Sequence, residues 1–171
     1  MIPLESVAVA SCLVILLTGC YQTPRAAGDA DELTVTHVAD GDTLAGVDAA
    51  GQRVRVRLLG IDAPELAHAG EPGECGATDA RRELEQLVLH QVITLADDPR
   101  AHRIDRYGRR LAYVDVAGVD VALHQLEAGY AAAWYPRGEP RPARHASYRD
   151  AQQAARRADA GAWASCPRIG R

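Results

Sequence analysis

At 171 residues and 47% apolar composition, the chain has room for one domain around one core, plus a short targeting segment. Its formal net charge of −4 excludes a domain that gathers polyanions by overall charge, so any contact with a phosphate-rich partner has to be local. All 19 basic residues are arginines; their planar forks suit bidentate phosphate contacts, but the absence of lysine alone reads as compositional bias, and only particular arginines carry an argument.

The N-terminus reads as an address. Residues 7–17, VAVASCLVILL, are apolar but too short to span a bilayer at about 1.5 Å rise per residue, and they end in Leu17-Thr18-Gly19-Cys20. That tetrapeptide resembles a bacterial lipobox, which implies cleavage before Cys20, lipidation of its thiol and a membrane-anchored protein facing the periplasm or the cell exterior. The segment before the apolar run carries Glu5 and no Lys or Arg, so an ordinary cleavable signal giving a secreted protein and a buried N-terminal helix stay open as alternatives. Residues 20–31 lack hydrophobic periodicity and read as a tether to a domain spanning 32–166, with 167–171 as a tail.

Strand patterning comes first. Alternation over 33–39, 42–47 and 52–60 predicts three antiparallel strands in a curled meander, with Arg55 and Arg57 on one face of the third. A Gly- and Pro-rich loop (67–76) leads to an amphipathic helix over 78–90, capped by Thr78 or Asp79, with Leu84, Leu87 and Val88 at helical spacing. Strands follow at 92–96 and 109–118, then a short helix at 121–129 and a terminal helix at 143–161. Five strands with about three helices between and after them predict an α+β, mainly β, fold: an OB-like barrel. Outside the signal, Cys75 and Cys166 are left as a pair; in an oxidising compartment such a pair reads as one disulfide, and neither cysteine has a CxxC or a histidine at ligand spacing.

Three motifs carry the chemistry: Asp40-Gly41-Asp42-Thr43, then Arg57-Leu58-Leu59-Gly60-Ile61-Asp62-Ala63-Pro64-Glu65, then Asp105-Arg106-Tyr107-Gly108-Arg109. Asp42 and Asp62, on separate strand ends, could offer hard oxygens to a divalent cation, with a backbone carbonyl in the Ala63-Pro64 turn as a further ligand; Ca²⁺ suits such a site. Arg57 and Arg109 could grip a phosphate and offset the charge that grows as phosphorus becomes five-coordinate. Glu65 is left as a base for a water attacking in line. Singly, each motif has an ordinary reading: Asp-Gly as a hairpin turn, Arg57 with Glu65 as a surface pair, Tyr107-Gly108-Arg109 as a turn opening a strand. The six histidines show no HxH or HxxxH spacing and are left unassigned.

The three motifs in this order, with a helix between the second and third, LAYV after the third and Gly161-Ala162-Trp163 near the end, resemble the staphylococcal nuclease or thermonuclease family over roughly residues 33–165. The resemblance implies an OB-fold nuclease, acting as a monomer, that hydrolyses phosphodiester bonds of DNA or RNA and leaves 3′-phosphate ends. It implies Ca²⁺ held by the side chains of Asp42 and Asp62 and by the carbonyl of Ala63, with Arg57, Glu65 and Arg109 catalytic. Asp40 and Thr43 would stand behind the cation ligands, Tyr107 would meet the terminal phosphate, and Tyr135 would lie against the nucleotide. The best-known member has Thr where this chain has Ala63, a change a carbonyl ligand tolerates, and it surrounds its cleft with lysines that are missing here. The alternative is a catalytically inactive OB-fold module that binds nucleic acid or protein at the cell surface; the acidic balance and the few aromatics speak against it.

Overall fold

A computed structural model describes residues 31–170. The lipobox, Cys20 and the tether up to Ala30 lie outside the described residues. Strand β1 (Asp31–Val38), β2 (Thr43–Val47) and β3 (Arg53–Leu58) form the expected antiparallel meander, and a two-residue strand β4 (Ile61–Asp62) follows. Helix α1 (Ala77–Val88) leads into β5 (Val92–Ala96), which pairs antiparallel with β1 and with β6 (Arg110–Val116). The parallel pairing of β3 with β6 closes β1, β2, β3, β5 and β6 into a barrel, so the fold is a five-stranded OB-type barrel with three helices. A short β7 (Val119–Asp120) folds back antiparallel on β6 and runs into α2 (Val121–Glu127); β8 (Ala132–Ala133) pairs with β4, and α3 (His145–Arg157) and a 3-10 turn (Gly161–Ala164) complete the described chain.

The barrel interior is aliphatic. Leu33, Val35, Val38, Leu44, Val56, Leu58, Ile93, Leu95 and Val114 fill it, and Ala80, Leu84 and Val88 of α1 and Val121, Ala122 and Leu126 of α2 join the same cluster. Each large aliphatic side chain buried in this way contributes about 1.5–3 kcal/mol relative to exposure. Strict alternation along β1 would turn His37 inward after Leu33 and Val35; instead the β1–β2 register shifts between Val35 and His37, a bulge that leaves His37 exposed and brings Val38 inside. This irregularity adds to the curl that closure requires.

Several boundaries differ from the sequence reading, three of them for a visible reason. The expected strand at 52–60 ends at Leu58, because Arg57 hydrogen-bonds the carbonyls of Leu58 and Ile61 and folds the chain into a turn before β4. Helix α1 begins at Ala77, preceded by Gly76 in the left-handed region (φ 85°) with no side-chain cap, so neither Thr78 nor Asp79 serves as the cap. There Cys75 is tied to Cys166, and this disulfide fixes where the chain enters the helix. The terminal helix spans 145–157 rather than 143–161, since the chain turns after Ala158 so that Ala162 N–H can donate to Gly129 O at 3.1 Å.

Candidate active site

The site is built at the β1–β2 connection, the β3–β4 turn and the loop before β6. Gly41 lies tight against both Ala63 and α1: a Cβ there would stand 2.7 Å from Ala63 Cβ and 2.8 Å from Ala80 Cβ. Gln125 of α2, fully buried, donates to Gly41 O at 2.7 Å and to Ala80 O at 3.0 Å, and so fastens the Asp40-Gly41-Asp42 turn to the helices. The turn does more than reverse the chain; it delivers Asp42 to the edge of β4.

Asp42 and Asp62 are both 2% exposed, and they converge on one nitrogen: Arg57 Nη2 lies 2.8 Å from Asp42 Oδ2 and 2.9 Å from Asp62 Oδ1. Arg57 Nη1 donates to Leu58 O and Ile61 O, each at 2.8 Å, so both terminal nitrogens of the buried guanidinium are held by protein partners. Asp42 Oδ2 also accepts from Ala63 N–H at 2.7 Å, and Asp42 Oδ1 from the Thr43 hydroxyl at 3.0 Å. Asp40 Oδ1 accepts from Asp42 N–H at 3.0 Å. Burial pushes the Asp42 carboxyl well above the usual carboxylate range; Arg57 opposes this, Asp40 adds to it, and the Ala63 N–H opposes it.

Arg109 approaches from the other side. Its Nε donates to Asp105 Oδ2 at 2.7 Å, and its Nη1 to Thr43 Oγ1 at 3.3 Å. Asp105 organises the whole loop, because its Oδ1 accepts the N–H groups of both Tyr107 and Arg109 at 2.9 Å. Burial alone would raise the Asp105 carboxyl, but these N–H donors and the Arg109 guanidinium outweigh it and hold the group below the usual carboxylate range. Tyr107 is exposed, its ring beneath the guanidinium carbons of Arg106 and Arg109 at 4.8 and 5.3 Å, and Arg55 Nη2 donates to its carbonyl at 2.5 Å.

Arg57, Glu65, Tyr107, Arg109 and Tyr135 line one open cleft of about 580 Å³. Asp42 and Asp62 do not line it but are joined to it through their ion pairs with Arg57, and Ala63 through its N–H bond to Asp42. Tyr135 stands edge-on to His145, ring centroids 4.8 Å apart. All the residues singled out in the three motifs thus share one neighbourhood. Three supporting residues have no role in the sequence reading: Asp105, named there within a motif, Arg55, named there only as sharing a strand face with Arg57, and Gln125. Asp105 carried a signal, since an Asp two residues before the third residue of a Gly-containing turn is placed to accept the turn's N–H groups. The long-range contacts of Gln125 and Arg55 left none.

The donor set suits a hard cation. Two buried carboxylates already share one positively charged nitrogen, so a single small cation could reach an oxygen of each. Among the described residues no group of three or more His, Cys, Asp or Glu side chains converges, so further ligands would have to be carbonyl or water oxygens, as calcium accepts.

The family model described as staphylococcal nuclease homologue matches residues 55–165. Among curated proteins, the chain is similar to one named probable endonuclease LCL3 from Colletotrichum graminicola, at 36% identity over 122 residues, covering 63% of this chain and 43% of that protein. An uncharacterized protein of Bacillus anthracis is 32% identical over 129 residues, 75% of this chain and 59% of its own length. The thermonuclease of Staphylococcus intermedius is 38% identical over 80 residues, 47% of this chain and 46% of that protein. The chain therefore spans about two fifths to three fifths of the length of these relatives. With the model matching well over half of the residues on a closed five-stranded barrel, the chain belongs to the staphylococcal nuclease family.

Proposed function

We propose that the protein is a calcium-dependent nuclease that hydrolyses phosphodiester bonds of DNA or RNA and leaves 3′-phosphate ends. The observation that carries this reading is the convergence of Asp42 and Asp62 on Arg57 at the inner edge of a cleft that Arg109 and Glu65 also line. The names of two relatives, probable endonuclease and thermonuclease, support it.

In this reading Asp42, Asp62 and the Ala63 carbonyl hold calcium, which supplies positive charge to a phosphate oxygen when bound. Glu65, half-buried at the cleft wall, takes the proton from a water as its oxygen attacks phosphorus opposite the 5′ oxygen. The P–O5′ bond breaks, the 5′ oxygen takes a proton from solvent and leaves as a hydroxyl, and the 3′ side keeps the phosphate. Arg57 and Arg109 present N–H groups to the oxygens whose charge grows, and their own partners hold them in place beforehand, which is where electrostatic catalysis gains most. Tyr107 contacts a terminal phosphate and Tyr135 the nucleotide. Asp40 and Thr43 fix the orientation of Asp42. The protein acts as a monomer, exported and anchored through a lipid on Cys20. A Cys20→Ser variant is expected to leave the membrane fraction, and a wild-type protein wholly outside that fraction would return the segment to an ordinary cleavable signal. Release of acid-soluble nucleotides from single-stranded DNA, with 3′-phosphate ends identified on the products, tests the activity; intact substrate under calcium would return the protein to a binding module.

A further inference from the structure

The loop that begins at Glu65 ends at the disulfide. Glu74 N–H donates to Glu65 O at 2.9 Å and Glu65 N–H donates to Glu74 Oε2 at 3.0 Å, so the two ends of the loop are joined twice. The next residue, Cys75, is bonded to Cys166 across a sequence separation of 91. Gly76 follows, so close to the C-terminal 3-10 turn that a Cβ on it would stand 2.7 Å from Ala162 Cβ.

Beyond Cys166 the chain runs back over the site. Ile169 is 2% exposed, and with Ala162 and Cys166 it forms a small apolar cluster separate from the barrel core, edged by Tyr130 and Trp163. Gly170 then lies on Asp62. Its φ is +64°, and a Cβ there would stand 2.7 Å from Asp62 O and 3.1 Å from Asp62 Oδ2, so a side chain would strike both the carbonyl and the carboxylate. One covalent node therefore has two arms, one through Glu74 to Glu65 and one through Ile169 to Asp62.

We infer that the Cys75–Cys166 bridge is a brace for the active site, positioning Asp62 for the cation and Glu65 for the water, and that the protein is fully competent only after the bridge has formed. The inference rests on the roles assigned above to Asp62 and Glu65. Its physical basis is that groups which orient a metal ligand tune its affinity, and their loss typically costs about 10- to 100-fold. The apolar residues around Cys166 form their own cluster, with Tyr130 packed against both it and the barrel core, so the barrel is expected to persist when the bridge opens. What is lost is the stop that holds Gly170 on Asp62 and Glu74 on Glu65. Chemically the switch is simple: a dithiol reductant gives the bridge two electrons and two protons, leaving thiols on Cys75 and Cys166 and itself closing to a cyclic disulfide.

The test is calorimetric titration of the full chain with Ca²⁺, alongside kcat on a short oligonucleotide and far-ultraviolet circular dichroism. Four forms are compared: oxidised wild type, wild type reduced with a dithiol, the Cys75→Ala/Cys166→Ala double variant and Gly170→Val. Reduction and the double substitution are expected to weaken Ca²⁺ binding about 10- to 100-fold and to lower kcat while the dichroism stays native. Gly170→Val keeps the bridge and is expected to weaken Ca²⁺ binding by itself. It decides the matter should the bridge-free forms unfold. Equal Ca²⁺ affinity in the oxidised and reduced folded proteins, or in wild type and Gly170→Val, overturns the brace. Failure of oxidised wild type to bind Ca²⁺ at all removes the cation reading itself, and the inference with it.

Discussion

Thr43 Oγ1 accepts a hydrogen bond from Arg109 Nη1 at 3.3 Å, joining two motifs 66 residues apart. The same hydroxyl donates to Asp42 Oδ1 at 3.0 Å, so it lies between the proposed cation ligand and the proposed phosphate clamp. Thr43→Val keeps the shape and removes both bonds. We expect a loss of kcat/KM of up to about 30-fold, the equivalent of about 1 kcal/mol for each of the two hydrogen bonds, with Ca²⁺ affinity also reduced. Unchanged kinetics would make the hydroxyl a bystander.

Arg57 and Arg109 should separate in a stability assay. Arg57 compensates two buried carboxylates, so Arg57→Ala leaves both uncompensated and should cost about 3–5 kcal/mol by urea unfolding. Arg109 is more exposed and pairs with Asp105, so Arg109→Lys should fold nearly as wild type and still lose most turnover, because a point charge does not reproduce a fork at a five-coordinate phosphorus. Wild-type rates in Arg109→Lys would return that residue to a structural role.

Glu65→Gln removes a proton acceptor from the cleft wall and keeps its size. Turnover should fall by about 10²–10⁴, the usual span for loss of a general base, with Ca²⁺ affinity and melting temperature nearly unchanged. A parallel fall in stability and activity would mean that the side chain holds the loop and does no chemistry.

Acid stability is set by carboxylates that accept several donors. Asp98, 3% exposed, accepts from the Tyr113 hydroxyl and Ala143 N–H, both at 2.6 Å, and from Arg100 N–H at 2.8 Å. Burial works to raise its carboxyl, but these donors outweigh it and hold the group, like Asp105, below the usual range. A depressed carboxyl contributes stability in full above its unfolded value of about 3.9, and that contribution is lost as pH falls through the lower folded value. Through these two groups unfolding free energy should therefore rise with pH up to about 4, whereas the Asp42 carboxyl, raised by burial, acts in the opposite sense above that pH. Asp98→Asn and Asp105→Asn should each flatten that rise, and an unaltered slope in both variants would contradict the assignment. The Tyr113 phenol, pushed up to about 12 by burial and by Asp98, should show no ionisation in its ultraviolet spectrum near pH 10.

Legibility in the sequence followed the range of the contacts. The motif residues were readable because each motif is a short stretch whose alternation and turn residues fix its own local geometry, and the order of the three motifs did the rest. The bulge after Val35 was not readable: it follows from closing the barrel, which no window of β1 records. The cap of α1 was misread for a similar reason, since the tie from Cys75 to Cys166 decides where the helix begins, ahead of the capping preference of Thr78 or Asp79. Gly170 stood in a stretch with no periodicity and read as tail, and its contact with Asp62 crosses more than a hundred residues.

The central claim is that a cation held by Asp42 and Asp62 drives phosphodiester hydrolysis in this cleft. The most direct measurement is digestion of single-stranded DNA by the purified protein with Ca²⁺, then with excess chelator, then with Ca²⁺ restored, for wild type and for Asp62→Asn. The account requires cleavage that stops with chelator and returns with Ca²⁺ in wild type, and none above background in Asp62→Asn. Cleavage that continues undiminished in chelator, or in Asp62→Asn, would contradict it.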